Sequence, residues 1–318
     1  MDSKKYDVII VGELNVDLIL NGIEGTPEVG KEVFSRDMNL TLGSSSAIFA
    51  NNLSVLGAKV SFVGRVGNDS FGELVVSSLK KSGVDISNLI ETPDNYTGIT
   101  VAMNYGEDRA MVTYPGAMSD LKVIDITDDK LSKAKHLHVS SIFLQEGLLP
   151  DIHILFQRAK SLGMTTSLDP QWDPTEKWDV DLGRLLPYVD LFLPNESELM
   201  AMTYTQSIEA GIQKIRKISN NIIVKQGSKG VSLYNQEETI KTSAFLNNDV
   251  VDAIGAGDSF NSGFINAFIN GKTLSKCSEE GAITGAINTT ASGGTAAFES
   301  KEKVKKIAET KFNYKLEI

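Results

Sequence analysis

The stretch DAIGAGDSF at residues 252–260 says the most about how this chain folds. Gly255, Ala256 and Gly257 allow a tight turn whose backbone N–H groups point one way. From Ser259 onward, apolar residues recur at helical spacing, which predicts that the turn opens a helix. Helix N-termini bind anions through free N–H groups and the positive end of the dipole. Asp258 beside such a site indicates a group that removes a proton while the backbone holds a phosphate. The alternative is an ordinary N-cap.

Composition narrows the class of protein. The chain has 318 residues, a length that fits one large α/β domain or two small ones. Of these residues 41% are hydrophobic and 23% charged, which is ordinary for a soluble globular protein. A net charge of -10 argues against extended contact with nucleic acid or an anionic membrane surface. The N-terminus lacks a signal-peptide pattern and no run of about 18 apolar residues is present. We therefore expect a cytoplasmic protein.

Cysteine and histidine are too few for a metal or disulfide scaffold. Cys277 is the single cysteine, which excludes an intrachain disulfide and a cysteine-rich zinc site. His136 and His138 alternate around Leu137, which places both on one face of a strand. A metal role for that pair is disfavoured because no further clustered ligand follows.

Short β-branched runs alternate with helical patterns along the chain. Such alternation predicts an α/β fold, with a mostly parallel sheet covered by helices on both faces. The expected strands are residues 8–11, 60–63, 136–139, 165–168, 191–193 and 222–224. The expected helices are residues 47–56, 71–82, 151–162, 196–202 and 207–218. No linker or repeat divides residues 1–318, so we expect one domain.

Two segments depart from that alternation. Residues 18–40 are extended and turn-rich, and residues 97–115 contain a hairpin pattern around 106–108. Together they predict a small second sheet that acts as a lid and excludes water. An ordinary edge extension is the alternative. Because an exposed small sheet leaves strand edges unpaired, we also expect the lid to form a homodimer.

Residues 252–258 resemble the C-terminal signature of the ribokinase-like (PfkB) carbohydrate kinases, D-T-x-G-A-G-D. The N-terminal half is similar to that family's other signature. The matching pieces are Gly43-Ser44, Ala50-Asn51-Asn52, Leu56-Gly57-Ala58 and VGRVGNDSFG at 63–72. The resemblance spans nearly the whole chain. It implies a ribokinase-like three-layer sandwich with a central, mostly parallel sheet and a small β-sheet lid, and an ATP-dependent kinase.

The resemblance also assigns the chemistry. It implies that Asp258 is the general base for the acceptor hydroxyl, and that Gly255, Ala256 and Gly257 form the anion hole. Physical chemistry agrees, since phosphoryl transfer depends on positioning and electrostatic stabilisation. No Gly-Lys-Ser/Thr follows the glycines, so this is not a Walker A loop.

Nucleotide binding is implied for two further segments. Asn195 and Glu198 resemble the N-x-x-E motif, which implies that Asn195 contacts ATP and that Glu198 holds Mg²⁺ through water. A solvated helix carboxylate is the alternative for Glu198. The loop KQGSKG at 225–230 is similar to the family's ATP loop, with Lys225, Gly227, Ser228 and Gly230 as contacts. A simple turn between two strands explains this loop equally well.

Residues 286–294 resemble the strip near the adenine, with Asn288 as an ATP contact. In relatives that use K⁺, backbone oxygens of this strip join the aspartate that begins the signature. The resemblance therefore names a tentative monovalent cation site, consisting of Asp252, Ile254, Asn288, Ala291 and Gly293.

On the acceptor side, Asn15 and Asp17 resemble the N-x-D motif that grips sugar hydroxyls, and a strand-end turn is the alternative. Gly43 matches a glycine that lets the sugar approach, followed by Ser44 where a second glycine is usual. Ile48 replaces a sugar-binding asparagine.

Ser45 stands in place of the ribokinase lysine, which puts ribose in doubt. DPQW at 169–172 is similar to D-P-N-x-R without its arginine. Among the cations Lys31, Arg36, Arg65 and Arg109, we select Arg109 as a substrate contact.

These residues favour a kinase that phosphorylates a primary hydroxyl of a neutral, hexose-like sugar. A nucleoside kinase of the same family is the first alternative, with Ile48 and Phe49 as part of a base pocket. A protein that senses a ligand without catalysis is the second. A Rossmann dehydrogenase is excluded because G-x-G-x-x-G does not follow the first strand.

Overall fold

The computed structural model of the chain describes residues 4–105 and 108–318. The described strands are β1 (Tyr6–Val11), β2 (Asn15–Asn21), β3 (Asp37–Leu42), β4 (Val60–Val63), β5 (Arg65–Gly67), β6 (Ile90–Thr92), β7 (Gly98–Tyr105), β8 (Asp108–Tyr114), β9 (Ala134–Ser140), β10 (Thr165–Asp169), β11 (Leu191–Phe192), β12 (Asn221–Lys225), β13 (Val231–Tyr234) and β14 (Thr239–Thr242). The described α-helices are α1 (Ser45–Val55), α2 (Ser70–Lys81), α3 (Asp128–Ser132), α4 (Ile152–Ser161), α5 (Leu182–Leu185), α6 (Glu196–Thr203), α7 (Ile208–Ile215), α8 (Ala256–Ile269), α9 (Leu274–Asn288) and α10 (Lys301–Phe312).

The central sheet is eight-stranded, in the order β14-β13-β12-β11-β10-β9-β1-β4. The six strands from β12 to β4 run parallel, whereas β13 and β14 are added antiparallel at one edge. Parallel strands have their carboxyl ends at one edge of the sheet, where open α/β sheets bind ligands. The segments after β1, β10, β11 and β12 therefore meet there.

Alternate residues of β1 reach opposite faces of this sheet. Val8 and Ile10 belong to a core shared with α1, α2, α8 and α9. Ile9 and Val11 belong to a second core that includes residues of α4, α6 and α7. Because both faces are apolar, helices cover both, which confirms the predicted fold class.

The predicted elements match closely, with differences at their ends. The strand at 60–63 is found as β4, and each expected helix begins within two residues of its place. The helix expected over 207–218 ends early, at Ile215. The residues that follow form a tighter turn, in which Ile218 N–H donates to Ile215 O, three residues back, at 3.0 Å.

A second sheet of four strands has the order β3-β2-β7-β8, and we call it the small sheet. It contains the segments predicted at 18–40 and 97–115, but its first strand starts at Asn15 and β3 ends at Leu42. Asn15 and Asp17 therefore lie in a strand that pairs with β7, not in a turn. Residues 106 and 107 of the predicted hairpin turn lie outside the described residues.

Within 4–105 and 108–318, every helix is too short or too polar to traverse a lipid bilayer.

Candidate active site

The predicted glycine turn leads directly into α8. Gly255 has φ of +76°, and a Cβ there would lie 2.5 Å from the Cα of Gly294. Both conditions require glycine. The helix begins at Ala256, so Gly257 and Asp258 occupy its first turn and their N–H groups have no partner inside the helix.

The N–H groups of the turn are not all available to a ligand. Ala256 N–H donates to Ala253 O at 3.2 Å. For Gly257 N–H, the described residues provide no acceptor. A Cβ built on Gly257 would lie 3.7 Å from Lys225 Nζ, so a cationic group also lies beside this turn. A free amide and an ammonium group together form an anion site.

Asp258 lies in this anion site with only 6% of its surface exposed. Its Oδ1 accepts hydrogen bonds from Ser45 Oγ and from Gln171 Nε2, the latter at 3.2 Å. Burial raises the pKa of Asp258 to about 8, and the nearby Asp169 carboxylate adds to the rise. Such a carboxyl group has a proton affinity suited to general-base catalysis near neutral pH.

Asp169, at the end of β10, bonds Lys225 and also Gln171, which in turn bonds Asp258. Its Oδ2 accepts from Lys225 Nζ at 2.6 Å, from Gln171 Nε2 at 3.1 Å and from Asn261 Nδ2 at 2.5 Å. Burial alone would lower the pKa of Lys225, but the Asp169 carboxylate and then Glu198 raise it. Lys225 is therefore a firmly protonated cation.

A cavity of about 350 Å³ adjoins this cation and brings the predicted nucleotide residues together. Its polar end contains the predicted ATP loop and two residues of the glycine turn: Lys225, Gly227, Ser228, Gly230, Ala256 and Gly257. Its walls are mostly apolar and include Phe245, Leu246, Val250, Ala282 and Ala286. Apolar walls with a cationic end fit a flat base attached to phosphates.

Asn195 and Glu198 lie beside this cavity without lining it. They form a capping box at the start of α6, in which Asn195 Oδ1 accepts from Glu198 N–H at 2.9 Å. Asn195 N–H and Nδ2 donate to the two Glu198 carboxylate oxygens at 2.8 and 2.6 Å. Burial raises the pKa of Glu198 to about 7, followed by the effect of Asp169. The carboxyl oxygens fit a water-mediated Mg²⁺ contact, since each retains a lone pair.

Asn288 does not line the cavity either. Its Nδ2 donates to Ile254 O at 2.6 Å and its Oδ1 accepts from Ser259 Oγ at 3.0 Å. Both ends of this buried amide are therefore occupied by hydrogen bonds within the protein.

Asp252 is also occupied by hydrogen bonds within the protein, because it accepts from the N–H groups of Ile254 and Gly293, each at 2.9 Å. The two segments predicted to hold a monovalent cation thus lie together, and Ala291 adjoins them through its bond to Asn288 O.

On the acceptor side, Gly43 lies directly against the Asp17 carboxylate. A Cβ at Gly43 would lie 2.3 Å from Oδ1 of Asp17, so the glycine makes room for this carboxylate. Burial raises the pKa of Asp17 to about 7, Glu13 adds to the rise, and Arg109 opposes it. Arg109 itself is exposed on β8.

Asn15 donates from Nδ2 to Thr100 Oγ1 at 2.9 Å and so links β2 to β7.

Ser44 caps α1 from an unusual backbone conformation, with φ of +68°. Its Oγ accepts from Ala47 N–H at 3.0 Å and donates to Glu13 O at 2.6 Å. Glu13 is 1% exposed and accepts from Ser46 N–H at 3.1 Å and from Ser46 Oγ. Sequence reasoning missed Glu13, although an acidic residue directly after a buried strand was a usable signal.

Ile48 and Phe49, which the nucleoside-kinase alternative expects in a base pocket, are both buried. Ile48 packs on Gly294, where an added Cβ would lie 2.4 Å from Ile48 Cδ1. Phe49 stacks on His138 with ring centroids 3.9 Å apart. Both residues therefore pack against other residues of the protein core.

Comparisons with known proteins agree with this geometry. The model of the "pfkB family carbohydrate kinase" matches residues 5–301. The chain is 27% identical to a ribokinase from Lactococcus lactis over 81% of this chain and 82% of the relative. It is 28% identical to a 2-dehydro-3-deoxygluconokinase from Bacillus subtilis over 94% of both proteins. A putative ribokinase II from E. coli, solved with ATP and Mg²⁺, superposes with a TM-score of 0.83 at 23% identity, covering 96% of this chain and 99% of that one.

Proposed function

Because this chain belongs to the pfkB family of carbohydrate kinases, we propose that it transfers the terminal phosphoryl group of ATP to a primary hydroxyl of a neutral, hexose-like sugar. The observation that supports this most is the position of Asp258. It is a buried carboxyl group of raised pKa, adjacent to the free N–H of Gly257 and to the cavity that contains Lys225.

The proposed reaction is one in-line displacement. Asp258 takes the proton of the acceptor hydroxyl, and the alkoxide oxygen bonds to the terminal phosphorus of ATP. The bond from that phosphorus to the bridging oxygen breaks, and ADP leaves with the electron pair. Gly257 N–H and Lys225 Nζ stabilise the charge on the transferring group. Glu198, through water, would hold the Mg²⁺ that neutralises phosphate charge.

The charges around the acceptor side support an uncharged sugar. Asp17 has Glu13 as a neighbouring carboxyl group and forms no salt bridge within the described residues, and Asp169 already holds Lys225. Three of the cations considered from the sequence are paired elsewhere: Lys31 with Glu28, Arg36 with Glu24 and Arg65 with Asp125. Arg109 remains as the proposed cationic contact. An acid or phosphorylated sugar would therefore meet carboxylates.

A neutral sugar is also favoured over a nucleoside. The residues expected to form a base pocket, Ile48 and Phe49, are buried in the core, which leaves them little surface for a base. A sensing protein without catalysis is disfavoured because Asp258 and the glycine turn are both in place.

A mixture experiment tests the function. The protein is incubated with ATP, Mg²⁺, neutral hexoses, their phosphates, aldonic acids and nucleosides, and products are identified by mass spectrometry. We expect a neutral hexose to gain one phosphoryl group, and Asp258→Asn to abolish the product. Phosphorylation of nucleosides or acids alone would replace the acceptor in this proposal. Binding without any product would support the sensing alternative.

Three further properties are part of this proposal. The small sheet acts as a lid and as a dimer interface, since its edge strands β3 and β8 expose Met38, Leu40, Met111 and Val112.

A monovalent cation near Asp252 orders the glycine turn, which predicts faster turnover in K⁺ than in Na⁺ at equal ionic strength. A cytoplasmic location stays a prediction.

A further inference from the structure

Two neighbours from separate elements hold the same oxygen of Asp258. Ser45, the first residue of α1, donates from Oγ to Oδ1. Gln171, two residues beyond β10, donates from Nε2 to the same Oδ1 at 3.2 Å. Gln171 Nε2 also lies 2.9 Å from Ser45 Oγ, so the three groups form a closed triangle. No described residue donates a hydrogen bond to Oδ2.

Backbone strain accompanies this triangle. Gln171 has φ of +58°, and Ser44, directly before Ser45, has φ of +68°. Non-glycine residues rarely adopt such conformations and persist in them where the surrounding structure demands it. At Gln171 a second hydrogen bond helps to fix this conformation, because its Nε2 also donates to Asp169 Oδ2 at 3.1 Å. The two strained residues therefore lie at or next to the two donors that converge on Oδ1 of Asp258.

We propose that Ser45 and Gln171 are positioning residues that fix Oδ1 of Asp258 and leave Oδ2 as the atom that receives the acceptor proton. This inference rests on the proposed kinase function. It applies to residues that depart from the family pattern, since Ser45 replaces a lysine and Gln171 an asparagine. Neither residue transfers a proton itself.

The charged groups around Asp258 determine the direction of the expected effect. Asp169 on β10 and Glu13 after β1 favour its protonated form, whereas Lys225 on β12 and the Ser45 hydrogen bond favour the ionised form. Loss of a donor should therefore make Asp258 hold its proton to higher pH. One net hydrogen bond of about 0.5–1.5 kcal/mol corresponds to about 0.4–1 pH unit.

The test follows the titration of Asp258 directly and needs no acceptor. Protein labelled with ¹³C at aspartate carboxyl groups is titrated by NMR, and Asp258→Asn identifies the resonance. We expect the midpoint to rise by about 0.4–1 pH unit in Ser45→Ala and in Gln171→Leu. Ser45→Thr keeps the hydroxyl and should titrate like the unmodified protein. Ser119→Ala, which removes a remote hydroxyl, should also have no effect.

Two results would overturn the inference. One is an unchanged midpoint in both Ser45→Ala and Gln171→Leu, when thermal unfolding shows that both variants are folded. The other is an equal shift in Ser45→Thr and Ser45→Ala. If Ser45→Ala does not fold, Gln171→Leu and Gln171→Glu decide the question, because a new carboxylate should raise the midpoint further. Failure to find any phosphorylated product would refute the proposed function while leaving this titration result intact.

Discussion

Lys225 Nζ lies 2.6 Å from Asp169 Oδ2, and this ion pair joins the cavity lined by Lys225 to the residues around Asp258. The Asp169 side chain is fully buried and that of Lys225 is 13% exposed. An ion pair this buried stabilises the folded protein little more than an apolar pair of similar size would. Removal of one member, however, leaves the other charge uncompensated. Its value for this protein is therefore positional, since it keeps a cation beside Gly257.

Lys225→Met should lower the free energy of unfolding by about 3 kcal/mol, because the Asp169 carboxylate loses its counter-charge. ATP affinity should fall more than tenfold. The double variant Lys225→Met with Asp169→Asn should regain most of the stability but none of the ATP affinity. Urea denaturation and calorimetric titration with ATP measure both. Equal stability of the single and double variants would contradict this view of the pair.

The stability of the protein should depend on Asp258 and pH. The pKa of Asp258 is raised to about 8 in the folded state, above its ordinary value of 3.8, so folding favours the protonated form. This contribution is complete below the unfolded pKa and is lost as the pH rises through 8.

Asp258→Asn lacks this titration, so its unfolding free energy relative to the unmodified protein should increase by about 1 kcal/mol per pH unit between pH 6.5 and 8. His136, whose pKa burial lowers to about 3 in the folded state, is present in both proteins, so its titration cancels from this difference. Chemical denaturation at four pH values measures the difference, with Asp94→Asn at an exposed position as the control. A constant difference would show that Asp258 does not titrate as stated.

Gly43→Ala should displace the Asp17 carboxylate, since the added methyl carbon would lie 2.3 Å from its Oδ1. We expect the KM for the acceptor to rise at least tenfold while the KM for ATP changes little. Gly163→Ala is a suitable control, because no atom lies within 4 Å of its new Cβ, although its φ is also positive at +71°. Equal effects on both substrates would indicate a general disturbance of α1 instead.

Leu40→Lys and Met111→Lys should convert the proposed dimer to a monomer, because each places a charge on an exposed apolar edge of the small sheet. Light scattering after size exclusion measures the mass at micromolar concentration. Ile124→Lys, at a more exposed position outside this sheet, should leave the mass unchanged. A monomeric unmodified protein would refute the proposed interface.

Local patterns predicted the framework of this protein well. The buried run at 60–63 became β4, and the glycine turn at 255–257 opened a helix as expected. These features depend on residues close in sequence: apolar runs bounded by turns, and glycines at positive φ. The clustering of Lys225, Gly227 and Gly230 with the glycine turn also agrees with the resemblance on which it was based.

Contacts between distant residues could not be predicted in the same way. Ser45 and Asp258 are 213 positions apart, and Gln171 reaches both from a third element. A single sequence contains no signal for such a triangle. The close approach of Asp17 to Gly43 could not be predicted for a similar reason, since Asp17 lies on a neighbouring strand of the small sheet.

The packing of α1 on the loop at Gly294 has a consequence for biosynthesis. Asn52 Nδ2 donates to Gly294 O across 242 positions, and Ile48 fills the space beside the same glycine. A nascent chain lacks this support until residue 294 has been synthesised and has left the ribosome. Fragments that end before residue 294 should therefore lack the support that packs α1 against this loop.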